Sequence, residues 1–144
     1  VLFGFSLAMV SGDPLYDEGG QLSQIVLLMF VTNDQYANLH NCELISGGFT
    51  VSYTGGPDFS PGDKFGELVF NVDGLEIPKS SGAAFTVKCD ILTPLEANTV
   101  IQTGFFASLG SNPPNDAIVM YGSNTAEKLE VFPNEDIYHI VSYY

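Results

Sequence analysis

The chain has 144 residues, enough for one domain with a sizeable core, and its 45% hydrophobic content, with 11 Phe and 7 Tyr, excludes intrinsic disorder. Its 17 acidic residues face only Lys64, Lys79, Lys88 and Lys128, a formal charge of -13. That balance excludes the basic patch of a nucleic-acid binder and the Arg fork of phosphate recognition, disfavours an anionic membrane surface, and demands cations wherever acidic faces meet.

The N-terminus carries the cleanest alternation in the chain. Val1, Phe3, Phe5, Leu7 and Met9 form a bulky row, and Gly4, Ser6 and Ala8 give the opposite row small residues. A period of two predicts a strand over Leu2 to Val10. After turn signals at Gly12-Asp13-Pro14 and Gly19-Gly20, a second strand is predicted over Gln24 to Thr32. Within it Ile25 to Val31 is apolar throughout, which predicts a central strand covered on both faces. This longest apolar run is far short of the roughly 20 residues of a membrane-spanning helix, so no membrane span is expected.

Asn33 to Asn41 holds at most a helical turn. Glu43 to Tyr53 reads as one strand, with Gly47-Gly48 making a bulge or bend inside it. Beyond Gly55-Gly56-Pro57 and Ser60-Pro61-Gly62-Asp63, strands are predicted over Phe65 to Val72 and, after the turn from Pro78 through Gly82, over Ala84 to Leu92. Pro94 to Asn98 reads as a corner, followed by strands over Thr99 to Ser108, Ala117 to Tyr121, Lys128 to Phe132 and Ile137 to Tyr143. Phe49, Val51 and Tyr53 share one face, as do Phe85, Val87 and Cys89, with Thr50, Ser52, Thr86 and Lys88 opposite. About nine strands without an amphipathic helix predict an all-β, two-sheet antiparallel β-sandwich of Greek-key or jelly-roll type, one domain over residues 1–144.

Two stretches carry a resemblance. Ser60-Pro61-Gly62-Asp63-Lys64-Phe65, running into Leu68-Val69-Phe70-Asn71-Val72, resembles the turn-and-strand entry of exported prokaryotic β-sandwiches, including TasA-type fibre subunits and cohesins. Leu92-Thr93-Pro94-Leu95-Glu96-Ala97-Asn98-Thr99 is similar to the corner before a late strand in fibronectin-type modules, with Ile101 where those carry Tyr. In composition the chain also resembles archaeal sheath and surface-layer proteins. The likeness implies an exported sandwich and transfers no functional residue.

The functional expectation rests on the N-terminal strand. A bulky row can fill the pockets of a sandwich groove while the backbone completes its ladder, as in donor-strand fibres. Residues 1–12 are therefore a candidate donated or intersubunit strand; pairing within its own domain is the other reading. If the groove belongs to the next copy, the contact is heterologous and yields a filament, sheath or surface layer, with Gly12-Asp13-Pro14 and Gly19-Gly20 as the hinge. Ile137 to Tyr144 offers a second apolar terminal strand. The expected partner is thus the chain itself. The rival is a monomeric surface adhesin or carbohydrate-binding module using Tyr16, Tyr36, Tyr121, Tyr143 and Tyr144.

Catalytic chemistry finds little support. His40 and His139 form no HxxxH pair, Cys42 and Cys89 form no CxxC, and there is no GxSxG, P-loop or GxGxxG. The absence of Trp removes the commonest sugar-stacking platform. The two cysteines are compatible with free core thiols, with one disulfide, or with a bridge between copies; an exported protein favours a bridge. The acids of the turns, Asp13, Asp17 and Glu18 and then Asp58 and Asp63, are candidate calcium ligands, because hard cations take oxygen donors, though no EF-hand spacing is present. Ordinary solvated turn acids are the alternative.

Overall fold

The computed structural model describes residues 3–9, 18–33, 35–53, 65–91, 94–105, 117–131, 135 and 137–142. Among these residues nine strands run in chain order: β1 (Phe3–Ala8), β2 (Gly20–Val31), β3 (Leu39–Ser46), β4 (Phe49–Tyr53), β5 (Phe65–Ile77), β6 (Gly82–Ile91), β7 (Val100–Phe105), β8 (Ile118–Gly122) and β9 (Ile137–Ser142). They form two antiparallel sheets, one ordered β1-β6-β3-β4 and the other β5-β2-β7-β9, with β8 beside β2. The protein is an all-β, two-sheet sandwich. β4 lies against β5 at one flank and β1 against β9 at the other.

β2 organises the second sheet, as its apolar run requires. One side pairs with β5 along most of its length; the other pairs with β8 through Gly20 to Ile25 and with β7 through Leu28 to Val31. Ile25, Leu27, Met29 and Val31 point into the sandwich, and Leu28, on the outer face, is buried as well. A register shift between Leu22 and Gln24 appears on both sides, where Ser23 is the additional residue against β8. Between the sheets the core gathers Phe3, Leu44, Phe70, Phe85, Val87, Ile101 and Phe105 around that row.

Several elements differ from expectation. Gly47-Gly48 does not bend one strand; it closes a hairpin in which Ser46 pairs with Phe49. Gly47 adopts φ 58°, the positive value that the first central residue of a type II′ turn demands. Of the expected strand Lys128 to Phe132, residues 128–131 are described and form no strand, and Phe132 lies outside the described residues. Lys128 bridges to Tyr121, and Leu129 N–H donates to Met120 C=O. Both β2 and β5 are longer than expected. β5 carries its ladder past Asp73 and Gly74, a pair of turn formers, because Leu75 and Ile77 regain core and partners on β2. The helical turn falls at Gln35–Asn38, as a 3-10 turn, and the corner at 94–98 ends on Asn98 with φ 65°. Asn33, Asn41 and Asn98 all hold positive φ, as the residue type best suited to it after Gly.

Candidate functional site

The bulky row of β1 faces inward. Phe3 is 2% exposed, and Phe5, Leu7 and Met9 are half-buried against the core; Gly4, Ser6 and Ala8 face out. Phe5 stacks on Phe85 at 5.1 Å and meets Phe105 edge-on at 5.3 Å, while Phe3 lies edge-on to Phe105 at 5.7 Å. Such aromatic pairs add about 0.5–1.5 kcal/mol each beyond burial. The strand pairs antiparallel with β6 of its own chain, Phe3 opposite Val87 through Ala8 opposite Gly82, and Met9 N–H extends the ladder to Ser81 C=O. Among the described residues it is an edge strand, paired with β6 alone and held also by its row of side chains. Val1 lies outside the described residues.

Gly19 and Gly20, expected at the hinge, are packed instead. Both are buried, and an added Cβ on Gly19 would lie 2.8 Å from Ile77 O, while one on Gly20 would lie 2.8 Å from the Met120 methyl. The other expected hinge, Gly12-Asp13-Pro14, lies outside the described residues.

Cys42 and Cys89 form a disulfide within the chain, with Cα atoms 4.0 Å apart. It bridges adjacent strands β3 and β6 at a register shift between His40 and Glu43. There Asn41, at φ 50°, takes the extra position and donates from Nδ2 to Asp90 Oδ2 at 3.1 Å. Cys42 is fully buried. With both sulfurs bonded, neither offers a thiol to His40.

Of the candidate calcium ligands, Asp13, Asp17, Asp58 and Asp63 lie outside the described residues, and among those described no group of three or more His, Cys, Asp or Glu comes together. Glu18 belongs to a different arrangement. One carboxylate oxygen accepts from Asn124 N–H at 2.6 Å and Thr125 N–H at 3.0 Å; the other accepts from the Thr125 hydroxyl at 2.6 Å. The Thr125 hydroxyl bond, then the two backbone bonds, hold the Glu18 carboxyl below its ordinary value of 4.5 against a smaller opposing effect of desolvation. Gly122 makes room for this clasp, since a Cβ there would collide with the Glu18 carboxylate. The residue is thus neither a solvated turn acid nor an open ligand. Glu18 and Thr125 are 107 positions apart, and no local pattern announces the pair.

A second polar group closes the end of the sandwich near the 3-10 turn. Gln35 Oε1 accepts from Asn38 Nδ2 at 3.0 Å and from Glu96 N–H at 3.4 Å, and Thr32 Oγ1 accepts from Val100 N–H at 2.8 Å. Its members bond to one another and tie the corner to β2. Among the described residues one buried polar atom is unpartnered, the Thr103 hydroxyl, on the inner face of β7 between Ile101 and Phe105. Its β-branched type reads as an ordinary strand residue, so nothing local marks it.

The sheet edges are chemically unequal. β5 carries exposed Glu67, Asp73 and Glu76, the charges that deter pairing with another chain, and β4 is five residues long with Thr50 and Ser52 outward. At the opposite flank neither β1 nor β9 contains a charged side chain. β9 exposes Tyr138 at 48% and Ile140 at 49%. His139 sits between them, in the sheet that does not hold His40. Of the Tyr expected as contacts, Tyr121 is exposed; Tyr16, Tyr143 and Tyr144 and the side chain of Tyr36 lie outside what is described. No helix among the described residues is long and apolar enough to cross a membrane. Together with the disulfide this is compatible with an exported protein.

Comparison with known protein families, with curated proteins and with solved structures found no match.

Proposed function

We propose that the chain is a structural subunit of an extracellular self-assembling polymer, a filament, sheath or surface layer, whose copies are joined by addition of β1. In this reading it is not an enzyme. The observation that carries it is the construction of β1. A strand with no charged side chain lies at the edge of its sheet among the described residues, and its row of Phe3, Phe5, Leu7 and Met9 supplies part of the core. Such a strand can leave its own groove and occupy an identical groove in the next copy without changing a contact. Exchange of this kind leaves the fold intact and costs little beyond the joining entropy. The groove keeps its shape because β6, which hosts β1, is bonded to β3 through Cys89 and Cys42.

The charge of -13 opposes dense packing of copies, so divalent cations or low pH promote assembly, with calcium at acidic turns as the natural counter-ion. Chelator and ionic-strength titrations check this part: assembly indifferent to both refutes it. The central experiment compares the full chain with a chain lacking residues 1–12 by size-exclusion chromatography and negative-stain imaging. Polymers that disappear on truncation support the reading. A full chain that stays monomeric under all cation and pH conditions overturns it and favours the adhesin or binding-module alternative.

A further inference from the structure

We infer that β1 is an internal cap on its own groove: a copy that holds its own strand is the assembly-inactive form, and the strand of a second copy enters only against that competition. The inference rests on the β1 joint proposed above and adds what controls it, the eight residues, 10–17, that tether β1 to the sandwich.

Both ends of the tether are fixed near the connection from β5 to β6. Met9 N–H donates to Ser81 C=O, Ser81 N–H donates to Pro78 C=O across a turn, and Gly20 pairs with Ile77. Ladder partners lie about 5 Å apart and the ends of a turn within about 7 Å, so Met9 and Gly20 are within about 20 Å of each other. The far end resists fraying, which would lengthen the tether. Glu18 accepts three hydrogen bonds from Asn124 and Thr125, and Gly19 and Gly20 are buried beside it. Released from the groove, eight residues have a root-mean-square reach of about 14–17 Å, which is comparable with that span. A tether whose reach matches its span holds the free strand at an effective concentration in the millimolar range, near the maximum for its length.

Exchange between copies keeps every contact of β1, including the stack of Phe5 on Phe85 and the ladder from Phe3 opposite Val87 to Ala8 opposite Gly82. The contact energies therefore cancel. What remains is the concentration of other copies against the effective concentration of the copy's own strand. With protein at about 10 µM and the tethered strand at about 1 mM, the closed form outweighs exchange about a hundredfold. The charge of -13 adds to the bias, because it opposes the approach of another copy and not the return of the copy's own uncharged strand. Assembly thus starts where copies are crowded or cations offset the repulsion. Lengthening the tether weakens the cap and leaves the joint itself unchanged.

The test inserts about 24 Gly and Ser residues between Gly12 and Asp13 of the full chain, which makes the free segment about fourfold longer. Effective concentration falls as the -3/2 power of that length, about eightfold. Under the cation and pH condition that assembles the native chain, the concentration at which polymers appear in sedimentation velocity falls by the same factor. A second readout needs no polymer. A fluorescent peptide of residues 1–12, equilibrated with increasing concentrations of either chain, is half-bound at an about eightfold lower concentration of the lengthened chain, and a peptide carrying Phe3→Ser and Phe5→Ser enters neither. A native chain that takes up the peptide at micromolar concentration, a peptide midpoint that does not fall on lengthening, or a peptide that enters neither chain overturns the inference. So do polymers that vanish on loss of residues 1–12 yet appear at the same concentration with either tether. Failure of the β1 reading alone shows separately: polymers are absent or indifferent to that loss, while the peptide still enters the lengthened chain about eightfold more readily.

Discussion

Replacing Phe3 by Ala tests whether the N-terminal strand is part of the core. Phe3 is 2% exposed, with Phe5 at 5.4 Å and Phe105 at 5.7 Å, so truncation removes most of a ring from a site whose other walls are the rings of two further aromatics. Phe-to-Ala changes in such sites cost about 3–5 kcal/mol, a large part of the roughly 5–15 kcal/mol that holds a domain together. With a urea slope of about 2 kcal/mol per M, the midpoint falls by about 1.5–2.5 M. The control is Ser6→Ala on the outward row of the same strand, expected within about 0.5 kcal/mol of the native chain. Equilibrium urea unfolding followed by Tyr fluorescence, which no Trp obscures, measures both. Equal midpoints for the two variants refute the inward row. Repeating the titration over a hundredfold range of protein concentration tests for association: a midpoint that rises with concentration in the full chain and not in the chain lacking residues 1–12 ties the association to β1.

Thr103→Val exchanges an unpartnered buried hydroxyl for a methyl of similar shape and stabilises the fold by about 1–2 kcal/mol; a destabilised variant in thermal unfolding would show that the hydroxyl has a partner. Opening the Cys42–Cys89 bridge by the double Ala substitution removes a cross-link spanning 47 positions, at a cost of about 4 kcal/mol in the chain-entropy model, readable as a lowered urea midpoint. For Glu18 the folded carboxyl titrates below its unfolded value, so its contribution is complete above the ordinary 4.5 and disappears as pH falls through the lower folded value. Glu18→Gln therefore destabilises at neutral pH and flattens the acid limb of stability against pH; an acid limb unchanged in slope would mean that the clasp carries no linkage.

Much of the fold was legible because the period-two pattern directly reports which face of a strand is buried. The inward row of β1, the central place of Ile25 to Val31, and the shared face of Phe85, Val87 and Cys89 all follow from it. The pattern failed where two rules competed. At Gly47-Gly48 a bulge and a tight hairpin have the same composition, and either one shifts the inward row from even positions, Cys42 and Leu44, to odd ones, Phe49 and Val51. At Lys128 to Phe132 the alternation is present, yet the described residues 128–131 form no strand and meet β8 through a bridge to Tyr121 and a bond to Met120. The site was legible to the extent that it is local. β1 and β9 carry their uncharged character in plain sequence. The Glu18 clasp, the inequality of the β5 and β9 edges and the pairing of Cys42 with Cys89 depend on which distant strands become neighbours, and no spacing encodes that.

The disulfide also has a mechanical consequence. A pull applied along β1 is borne in shear by its six-residue ladder and passes to β6. From Cys89 it crosses a covalent bond to Cys42 on β3, so the intervening chain, including all of β4 and β5, carries none of the tension. A separation of 47 positions amounts to roughly 160 Å of contour at full extension, and the bridge withholds that length however hard the ends are drawn. Under a load drawn through β1 the ladder to β6 would yield first, and the loop closed by the bridge, with β4 and β5 inside it, would keep its length however far the rest of the chain was drawn out.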